Sequence, residues 1–284
     1  MKYLISLCVC CCLQLTAFAS SYEVPQGDVL RIPAPTQAEG MKVQAFGKSW
    51  PIYKHDEQQV AWIAVHLHTK VGKYPITWSS SQSKQTWHDE IQVNQGDFRI
   101  SHIQVKKSMS SFSPENLKRL RADQQAIKTA YKTSAPTLHT WPAMSWPVAG
   151  IISTPFAAQR YINNKPRSPH SGIDIAAAAG TKVFAPLAGK VLLVEDMYLN
   201  GNLIAIGHGN GLTSIYAHLK RSLVKKGQVL QAGEVFAEVG STGRSTGPHL
   251  HWGVHFAGAK INPRTMLNQA AQQEAQPSLG GKDE

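Results

Sequence analysis

The chain has 284 residues, a formal net charge of +11 and four cysteines. This length exceeds the usual size of one compact core, so we expect more than one domain. The cysteines are Cys8, Cys10, Cys11 and Cys12, all within the first 19 residues. If those residues are removed, the chain has no thiol for a disulfide, a thiolate nucleophile or a cysteine metal ligand, and these mechanisms are excluded.

Residues 1–19 have the pattern of a secretory signal peptide. Lys2 is their only charge, Leu4 to Leu15 is apolar, and Ala17-Phe18-Ala19 is a small-x-small cleavage site. We therefore predict cleavage after Ala19 and an exported protein of the periplasm, the cell envelope or the extracellular space. Because the apolar stretch is too short to cross a bilayer and no other long apolar run follows, we expect no stable membrane insertion.

Residues 20–97 predict a small N-terminal β-sandwich domain. Short apolar runs, such as Val60 to His68, alternate here with glycine-containing turns. His66 and His68 would point to one face of a strand and could share a metal ion, but no third ligand lies nearby. We interpret the two histidines as residues of a strand surface.

Residues 98–147 are predicted to form a linker that contains a helix over residues 114–132. Ser113 can cap this helix, Pro114 suits its first turn, and an apolar stripe follows at Leu117, Leu120, Ile127 and Tyr131. The other face is rich in Lys and Arg. Since aromatic residues are not interleaved with these charges and the chain carries an export signal, we interpret the basic face as solvated and expect no nucleic-acid partner.

Residues 148–267 predict a second β domain, because short β-type runs separated by glycine recur along them. The whole chain is therefore expected to be all-β and mainly antiparallel, with one connecting helix. Residues 268–284 are rich in Gln, Ala and Gly without periodicity, and we predict a disordered tail.

Three histidine-containing segments of the second domain indicate a site of chemistry: His170-Ser-Gly-Ile-Asp174, Tyr216-Ala-His-Leu219 and Pro248-His-Leu-His-Trp252. Strand alternation predicts that His249 and His251 share one face, and that Ser214, Tyr216 and His218 share another. Two imidazoles and one carboxylate are a ligand set that Zn²⁺ accepts in catalytic sites, with a fourth position for water. The pattern alone leaves open which histidines bind the metal.

The motifs resemble those of the M23 metallopeptidases, the LytM or lysostaphin-type endopeptidases of peptidoglycan. The resemblance covers roughly Val148 to Met266, in unbroken order, and rests on the segments H-S-G-I-D, G-N-x-x-x-I-x-H-G-N-G, Y-A-H-L, G-S-T-G-R-S-T-G-P-H-L-H-W and I-N-P. It implies a domain with a groove and a Zn²⁺ ion held by His170, Asp174 and His251. It also implies that His249 is the general base and that His218 stabilises the tetrahedral intermediate.

The function implied is that of a zinc-dependent endopeptidase that hydrolyses peptide cross-links of bacterial peptidoglycan, with a zinc-bound water attacking the scissile carbonyl. Peptidoglycan stem peptides are the expected partners. The alternative is a non-catalytic wall-binding protein that activates a murein amidase. Ligand loss would distinguish the alternative, and the implied ligands are all present in this chain.

Further residues are expected to lie in or near this site. Asn202 and Arg160 match positions of the wider family pattern and are expected to line the cleft. Ser245 and Thr246 lie in a glycine-rich loop, for which two interpretations are open: binding of a substrate peptide by backbone hydrogen bonds, or a tight loop alone. His208 is interpreted as part of a hairpin turn, and His255 as a residue at the rim of the site.

The first domain resembles, more weakly, the β-rich domains that precede M23 domains in exported bacterial proteins. Two roles are open to it: binding the wall or a partner, and covering the groove of the second domain. We hypothesise the second role, autoinhibition, because a wall hydrolase needs restraint against its own cell.

Overall fold

The computed structural model describes residues 20–35, 40–55, 58–103, 112–133, 135 and 143–268. The predicted signal peptide and residues 269–284 of the predicted tail lie outside these ranges. Strands dominate the described residues and pair mainly in antiparallel fashion, which confirms the predicted all-β class. No helix within these ranges is sufficiently long and apolar to cross a bilayer.

The first domain is a sandwich of two sheets. Its strands within the described ranges are β1 (Ser21–Pro25), β2 (Val29–Pro33), β3 (Met41–Ala45), β4 (Lys48–Trp50), β5 (Ile52–His55), β6 (Gln58–Ala64), β7 (Gly72–Ser80) and β8 (Thr86–Asn94). One sheet has the order β1-β8-β7-β3-β4 and the other has the order β2-β6-β5. Trp50, Trp62 and Trp78 are buried in its interior.

His66 and His68 do not lie on a strand. Strand β6 ends at Ala64, and the chain then turns, with Thr69 N donating to His66 O at 2.9 Å. The prediction of a strand running to His68 is therefore wrong, because a turn begins within the apolar run. Both imidazoles are exposed in this turn.

The linker contributes one strand and one helix to the described residues. Strand β9 (Ile100–Ile103) pairs in parallel with a strand of the second domain. Helix α1 (Pro114–Lys132) is capped by Ser113, whose side chain accepts a hydrogen bond from Asn116 N at 3.2 Å. The cap satisfies one of the free N–H groups of the first turn.

The second domain is built around one large sheet. Its described strands are β10 (Ile151–Thr154), β11 (Gln159–Ile162), β12 (Lys165–Pro166), β13 (Ile173–Ala176), β14 (Lys182–Phe184), β15 (Gly189–Met197), β16 (Gly201–Gly209), β17 (Leu212–Ser222), β18 (Val229–Leu230), β19 (Val235–Val239), β20 (His249–Phe256) and β21 (Ala259–Ile261), followed by a 3₁₀ helix at Pro263–Met266. The main order is β10-β13-β20-β17-β16-β15-β18. The β11–β12 hairpin forms a small separate sheet with β9.

The two faces of the large sheet have different partners. The face that carries Trp252 and Phe256 belongs to a core that continues into the first domain, where the Trp62 ring centroid lies 6.5 Å from that of Phe256. On the opposite face, α1 packs through Ala130 and its neighbours against residues such as Ile215 and Ala217. The first domain and α1 therefore cover opposite sides of the sheet.

His208 is buried in strand β16 and does not lie in the hairpin turn, which follows at Asn210 and Gly211. The predicted position is wrong because β16 extends further than the glycines suggest. The His208 Nδ1 donates to Ala188 O at 2.9 Å, and Nε2 lies 2.7 Å from Ser214 Oγ. Complete burial lowers the pKa of His208 from 6.5 to about 4, although the hydrogen bond to Ala188 opposes this change.

We predict that His208 makes the fold less stable in acid. Since its pKa is lower in the folded chain than in the unfolded chain, protonation favours unfolding, and stability is lost as the pH falls from about 6.5 towards 4. The loss from this residue between pH 7.5 and pH 5 is about 2 kcal/mol. Urea unfolding at pH 7.5 and at pH 5 measures this loss. In His208→Gln the free energies of unfolding at the two pH values should differ less. An unchanged difference in the variant would contradict the assignment.

Candidate metal centre

The pairing of β13 with β20 brings the carboxylate and the two histidines of the H-x-H segment together. In this antiparallel register Asp174 lies opposite His251, and Ala176 lies opposite His249. Directly opposed residues project to the same face of a sheet, so Asp174 and His251 are neighbours. The intervening Leu250 is fully buried on the other face, as the alternation predicted.

His170 reaches the cluster from the segment that precedes β13. Its backbone is fixed by two hydrogen bonds, from Ala157 N to His170 O at 2.8 Å and from His170 N to Ala158 O at 3.0 Å. Gly172 then lies against strand β20, where an added Cβ would be 2.3 Å from Trp252 O. Only a residue without a side chain permits this approach, which sets the distance between His170 and Asp174.

Three donor atoms from these segments converge. His170 Nε2 lies 3.0 Å from Asp174 Oδ1 and 3.0 Å from His251 Nδ1, and His251 Nδ1 lies 2.9 Å from Asp174 Oδ1. The donor atoms of this set all lie within 4.8 Å of one another. Between 14% and 19% of each side chain remains accessible, so solvent reaches the cluster.

Hydrogen bonding and charge prepare the three groups to be ligands. The Pro155 carbonyl accepts from His170 Nδ1 at 3.0 Å, which leaves Nε2 free of its proton and directed into the cluster. Burial alone would raise the pKa of Asp174, but the neighbouring imidazoles of His170 and His251 outweigh burial and lower the pKa. Burial lowers the pKa of His251 to about 4, against the opposing bond to Asp174. The carboxylate is therefore charged and the His251 imidazole neutral near pH 7.

His218 reaches the same face by an irregularity in β17. Tyr216 pairs with Ile204 but Leu219 pairs with Asn202, so β17 carries one extra residue at this point. His218 has a φ of 60°, in the left-handed region that non-glycine residues rarely adopt. The predicted common face for Ser214, Tyr216 and His218 is therefore wrong: the first two are fully buried in the core.

His218 and His249 lie side by side next to the three donor atoms. Their ring centroids are 4.7 Å apart, and His249 Nε2 lies 3.9 Å from Asp174 Oδ1. Each ring donates from Nδ1 to a backbone carbonyl, that of Thr242 for His218 at 2.9 Å and that of Gly247 for His249 at 2.8 Å. In these tautomers Nε2 is unprotonated in both rings and available to accept a proton.

Asn202 and Thr242 hold the irregular backbone around His218. The Asn202 amide donates to Leu219 O at 3.1 Å and to Lys220 O at 3.2 Å. Thr242 Oγ1 donates to Leu219 O at 2.8 Å and accepts from Asn202 N at 3.0 Å. Sequence reasoning missed Thr242, whose position in the S-T-G-R-S-T-G segment is its only signal.

The other residues assigned to the cleft have different surroundings. Ser245 Oγ donates to Gly247 O at 2.7 Å and lies 3.3 Å from His249 Nδ1, so it organises the loop before β20. Thr246 is exposed in that loop. Arg160 lies in β11 opposite Ser101, and its side chain is outside the described part of the chain.

His255 is not beside the donor atoms. It lies six residues along β20 from His249, and its ring stacks on that of Tyr131 in α1 with centroids 3.9 Å apart. The helix thus occupies this part of the sheet face. Among the described residues, no contact supports the interpretation of His255 as a residue at the rim of the site.

Comparisons with known proteins agree with this geometry. Residues 168–263 match the family model described as Peptidase family M23. DD-carboxypeptidase/endopeptidase Mpg of Neisseria meningitidis is 41% identical over 112 residues, which are 39% of this chain and 26% of Mpg. Peptidoglycan DD-endopeptidase ShyA of Vibrio cholerae is 40% identical over 95 residues, which are 34% of this chain and 22% of ShyA. The chain thus spans about a quarter of the length of these relatives.

A solved structure resembles more of the chain. The crystal structure of an M23 peptidase from Pseudomonas aeruginosa has a TM-score of 0.68 and 29% sequence identity. The superposition covers 85% of this chain and 94% of that chain. The similarity in fold therefore extends beyond residues 168–263 to the N-terminal part of the molecule.

We predict that Gly172→Ala damages the donor cluster more than the fold. The new Cβ would meet Trp252 O at 2.3 Å, so β13 and β20 must move apart where Asp174 faces His251. We expect a loss of about 1–3 kcal/mol in stability together with a clear loss of bound metal. Denaturant unfolding and metal analysis of the purified protein measure the two effects.

Gly247→Ala is the matched control for this substitution, because its added Cβ would meet nothing within 4 Å. It should retain both stability and metal content. Equal metal content in the two variants would disprove the role given to Gly172.

Proposed function

We propose, from the match of residues 168–263 to peptidase family M23, that the protein is a zinc-dependent endopeptidase that hydrolyses D,D-peptide cross-links of bacterial peptidoglycan. The observation that carries the proposal is the three-donor cluster with two unprotonated imidazole nitrogens beside it. The choice of D,D-cross-links rests on the relatives Mpg and ShyA, whose names describe that activity.

The donor set fits Zn²⁺. Two imidazoles and one carboxylate are a set that catalytic zinc uses, with one position left for water. Ligands at zinc bond lengths of 2.0–2.1 Å in a tetrahedron lie about 3.3 Å from each other. The separations of 2.9–3.0 Å among His170, Asp174 and His251 are close to that value. We assign these three residues as the ligands.

The residues around the cluster supply the rest of the chemistry. A zinc ion in this site would lower the pKa of a coordinated water to about 7 and polarise the scissile carbonyl. His249 Nε2 faces the cluster and is positioned to take a proton from the attacking water and pass it to the leaving amine. His218, beside it, is positioned to stabilise negative charge on the carbonyl oxygen as the tetrahedral intermediate forms.

The charges of the site agree with this division of roles. Burial lowers the pKa of His218, and the opposing hydrogen bond to Thr242 O does not reverse the shift. His218 is therefore neutral before substrate binds, and it stabilises negative charge on the carbonyl oxygen only after its Nε2 takes up a proton from solvent. The backbone carbonyls that accept from Nδ1 hold both rings in the required orientation.

The composition supports a cell-wall substrate. A formal net charge of +11 attracts an anionic polymer such as peptidoglycan, whose stem peptides carry carboxylates. The signal-like residues 1–19 support export to the periplasm or the cell envelope. The non-catalytic amidase activator is less well supported, because the full set of donors and both catalytic histidines are present.

Autoinhibition by the first domain stays a prediction. The core shared by the two domains lies on the face of the sheet that carries Trp252 and Phe256, opposite the donor cluster. The side chains of the cluster also keep 14–19% of their surface accessible. Among the described residues, β9 of the linker pairs with β11 next to the segment of His170, and this pairing offers one route for such restraint.

The assignment of catalytic roles predicts different outcomes for His249→Ala and His251→Ala. His249→Ala should keep its zinc and lose at least about 100-fold in the rate of cross-link cleavage, because only the proton transfer is removed. His251→Ala should lose the zinc and the activity together. The measurements are metal content and mass analysis of the fragments released from purified peptidoglycan.

His88→Ala, on β8 of the first domain, is the control and should behave as the unaltered protein. Release of the same fragments at the same rate by His249→Ala would contradict the proposed mechanism. The amidase activator would be favoured by a different result: the unaltered protein cleaves no cross-links, and His249→Ala still stimulates an amidase.

The hydrogen bonds of Asn202 predict that it positions His218 and does not bind the substrate. Asn202→Ala removes both amide donors to the backbone around His218, so we expect kcat to fall about 10- to 100-fold with KM and zinc content nearly unchanged. Asn94→Ala, which loses an exposed amide contact to Glu23, is the matched control. A rise in KM with unchanged kcat would show that Asn202 contacts the substrate.

A further inference from the structure

A cluster of basic side chains lies away from the metal centre, where the two domains and α1 meet. We call it the seam cluster and define it by Lys48 of β4, His66 of the turn after β6, His255 of β20 and Lys260 of β21. Two members come from the first domain and two from the second. None of the four takes part in the proposed catalysis.

The hairpin of β20 and β21 fixes the geometry of the cluster. Lys260 lies directly opposite His255 in this antiparallel pair. Lys48 reaches across from the first domain, and its Nζ donates to Ala257 O in the hairpin turn at 2.5 Å. The same Nζ lies 4.1 Å above the ring of Trp50, which limits the directions available to the ammonium group.

The two histidines have ring nitrogens without a partner among the described residues. His66 Nδ1 accepts from His68 N at 3.1 Å, so the proton of the neutral ring lies on Nε2 and can be donated outward. His255 Nδ1 is buried and makes no hydrogen bond. A buried polar atom without a partner is unfavourable in the folded chain, and a hydrogen bond to a ligand would remove this cost.

The Tyr131 ring closes one side of the cluster. It stacks on the imidazole of His255 with an angle of 7° between the ring planes, and it comes from the last turn of α1. Elements of both domains and of the linker helix therefore meet here. A ligand held by this cluster would contact or adjoin all three segments.

The seam cluster has no ion-pair partner among the residues that the structure describes. The ion pairs of those residues do not include Lys48, His66, His255 or Lys260. In agreement, burial and then the positive charges of Lys260, Lys48 and His66 lower the pKa of His255 to about 4. Folding thus gathers like charges without a counter-charge, a cost that a bound anion would remove.

We propose that the seam cluster is an anion-binding site that takes a phosphate group. Separate ammonium and imidazole donors on different strands suit an anion with several acceptor oxygens, and Lys binds phosphate as a point charge. A phosphate group offers three acceptor oxygens to donors on different elements, one more than a carboxylate. The phosphate can be carried by a soluble molecule or polymer, or by the headgroups of a lipid surface.

Inorganic phosphate tests the proposal through thermal stability, because a ligand that binds only the folded chain raises its unfolding temperature. The mature protein with its zinc is compared with Lys48→Gln/Lys260→Gln and with the matched control Lys42→Gln/Lys70→Gln, which removes two exposed lysines of the first domain. Each is heated in phosphate and in chloride at the same ionic strength. Phosphate bound at the metal centre would raise the unfolding temperatures of all three proteins equally.

We expect phosphate at about ten times its Kd to raise the midpoint of the unaltered protein and of the control by about 3 °C. Phosphate should raise the midpoint of the seam variant, Lys48→Gln/Lys260→Gln, clearly less. An unchanged midpoint in chloride and an unchanged cleavage rate would show that this variant is folded. Equal gains in the three proteins would overturn the proposal, as would no gain in the unaltered protein.

Sedimentation with phosphatidylglycerol vesicles distinguishes the sources of phosphate. If the unaltered protein and the control sediment with vesicles and the seam variant does not, the ligand is a lipid headgroup. If none sediments while the phosphate effect holds, the ligand is a soluble or polymer-borne phosphate. If all three sediment equally, the vesicles bind another surface and the seam site serves a phosphate that is not in a lipid.

Discussion

The candidate site depends on the register between β13 and β20. This pairing sets Asp174 opposite His251, and a slip of one residue would turn every side chain of β13 to the other face. Ile173, Ile175 and Leu250 maintain this register, because their side chains are almost fully buried in the core on the opposite face. The free energy of packing these apolar side chains thus holds the polar ones on the accessible face.

A second constraint acts on His218, whose position contradicts the alternation of its own strand. The extra residue in β17 transfers its side chain from the core face to the face of the metal donors. A left-handed conformation at a non-glycine residue costs roughly 1–3 kcal/mol, so surrounding contacts must stabilise it. Asn202 and Thr242 supply those contacts through three hydrogen bonds to the backbone at Leu219 and Lys220. Strain in the fold is therefore located at a residue with a proposed catalytic role.

The large sheet serves two structural purposes at once. Its buried face shares one continuous core with the first domain, including the tryptophans around Phe256. Its other face carries the metal donors at one end and is covered by α1 at the other. The two domains are consequently one packed unit, and a change at their seam alters the stability of both.

The sequence by itself determined the fold class and the strongly periodic features. Ser113 and Pro114 mark the start of α1, and the alternation in His249-Leu250-His251 indicates a strand with two polar side chains on one face, because these signals are local. The resemblance to M23 peptidases assigned the ligands, which the spacing alone left open. Only the tertiary structure decided the remaining positions, since they depend on contacts between residues far apart in the chain. The bulge at His218 requires Thr242, the burial of His208 requires Ala188 and Ser214, and His255 faces Tyr131 because α1 covers that end of the sheet. Local patterns carry no information about such partners, and that is the physical reason they were missed.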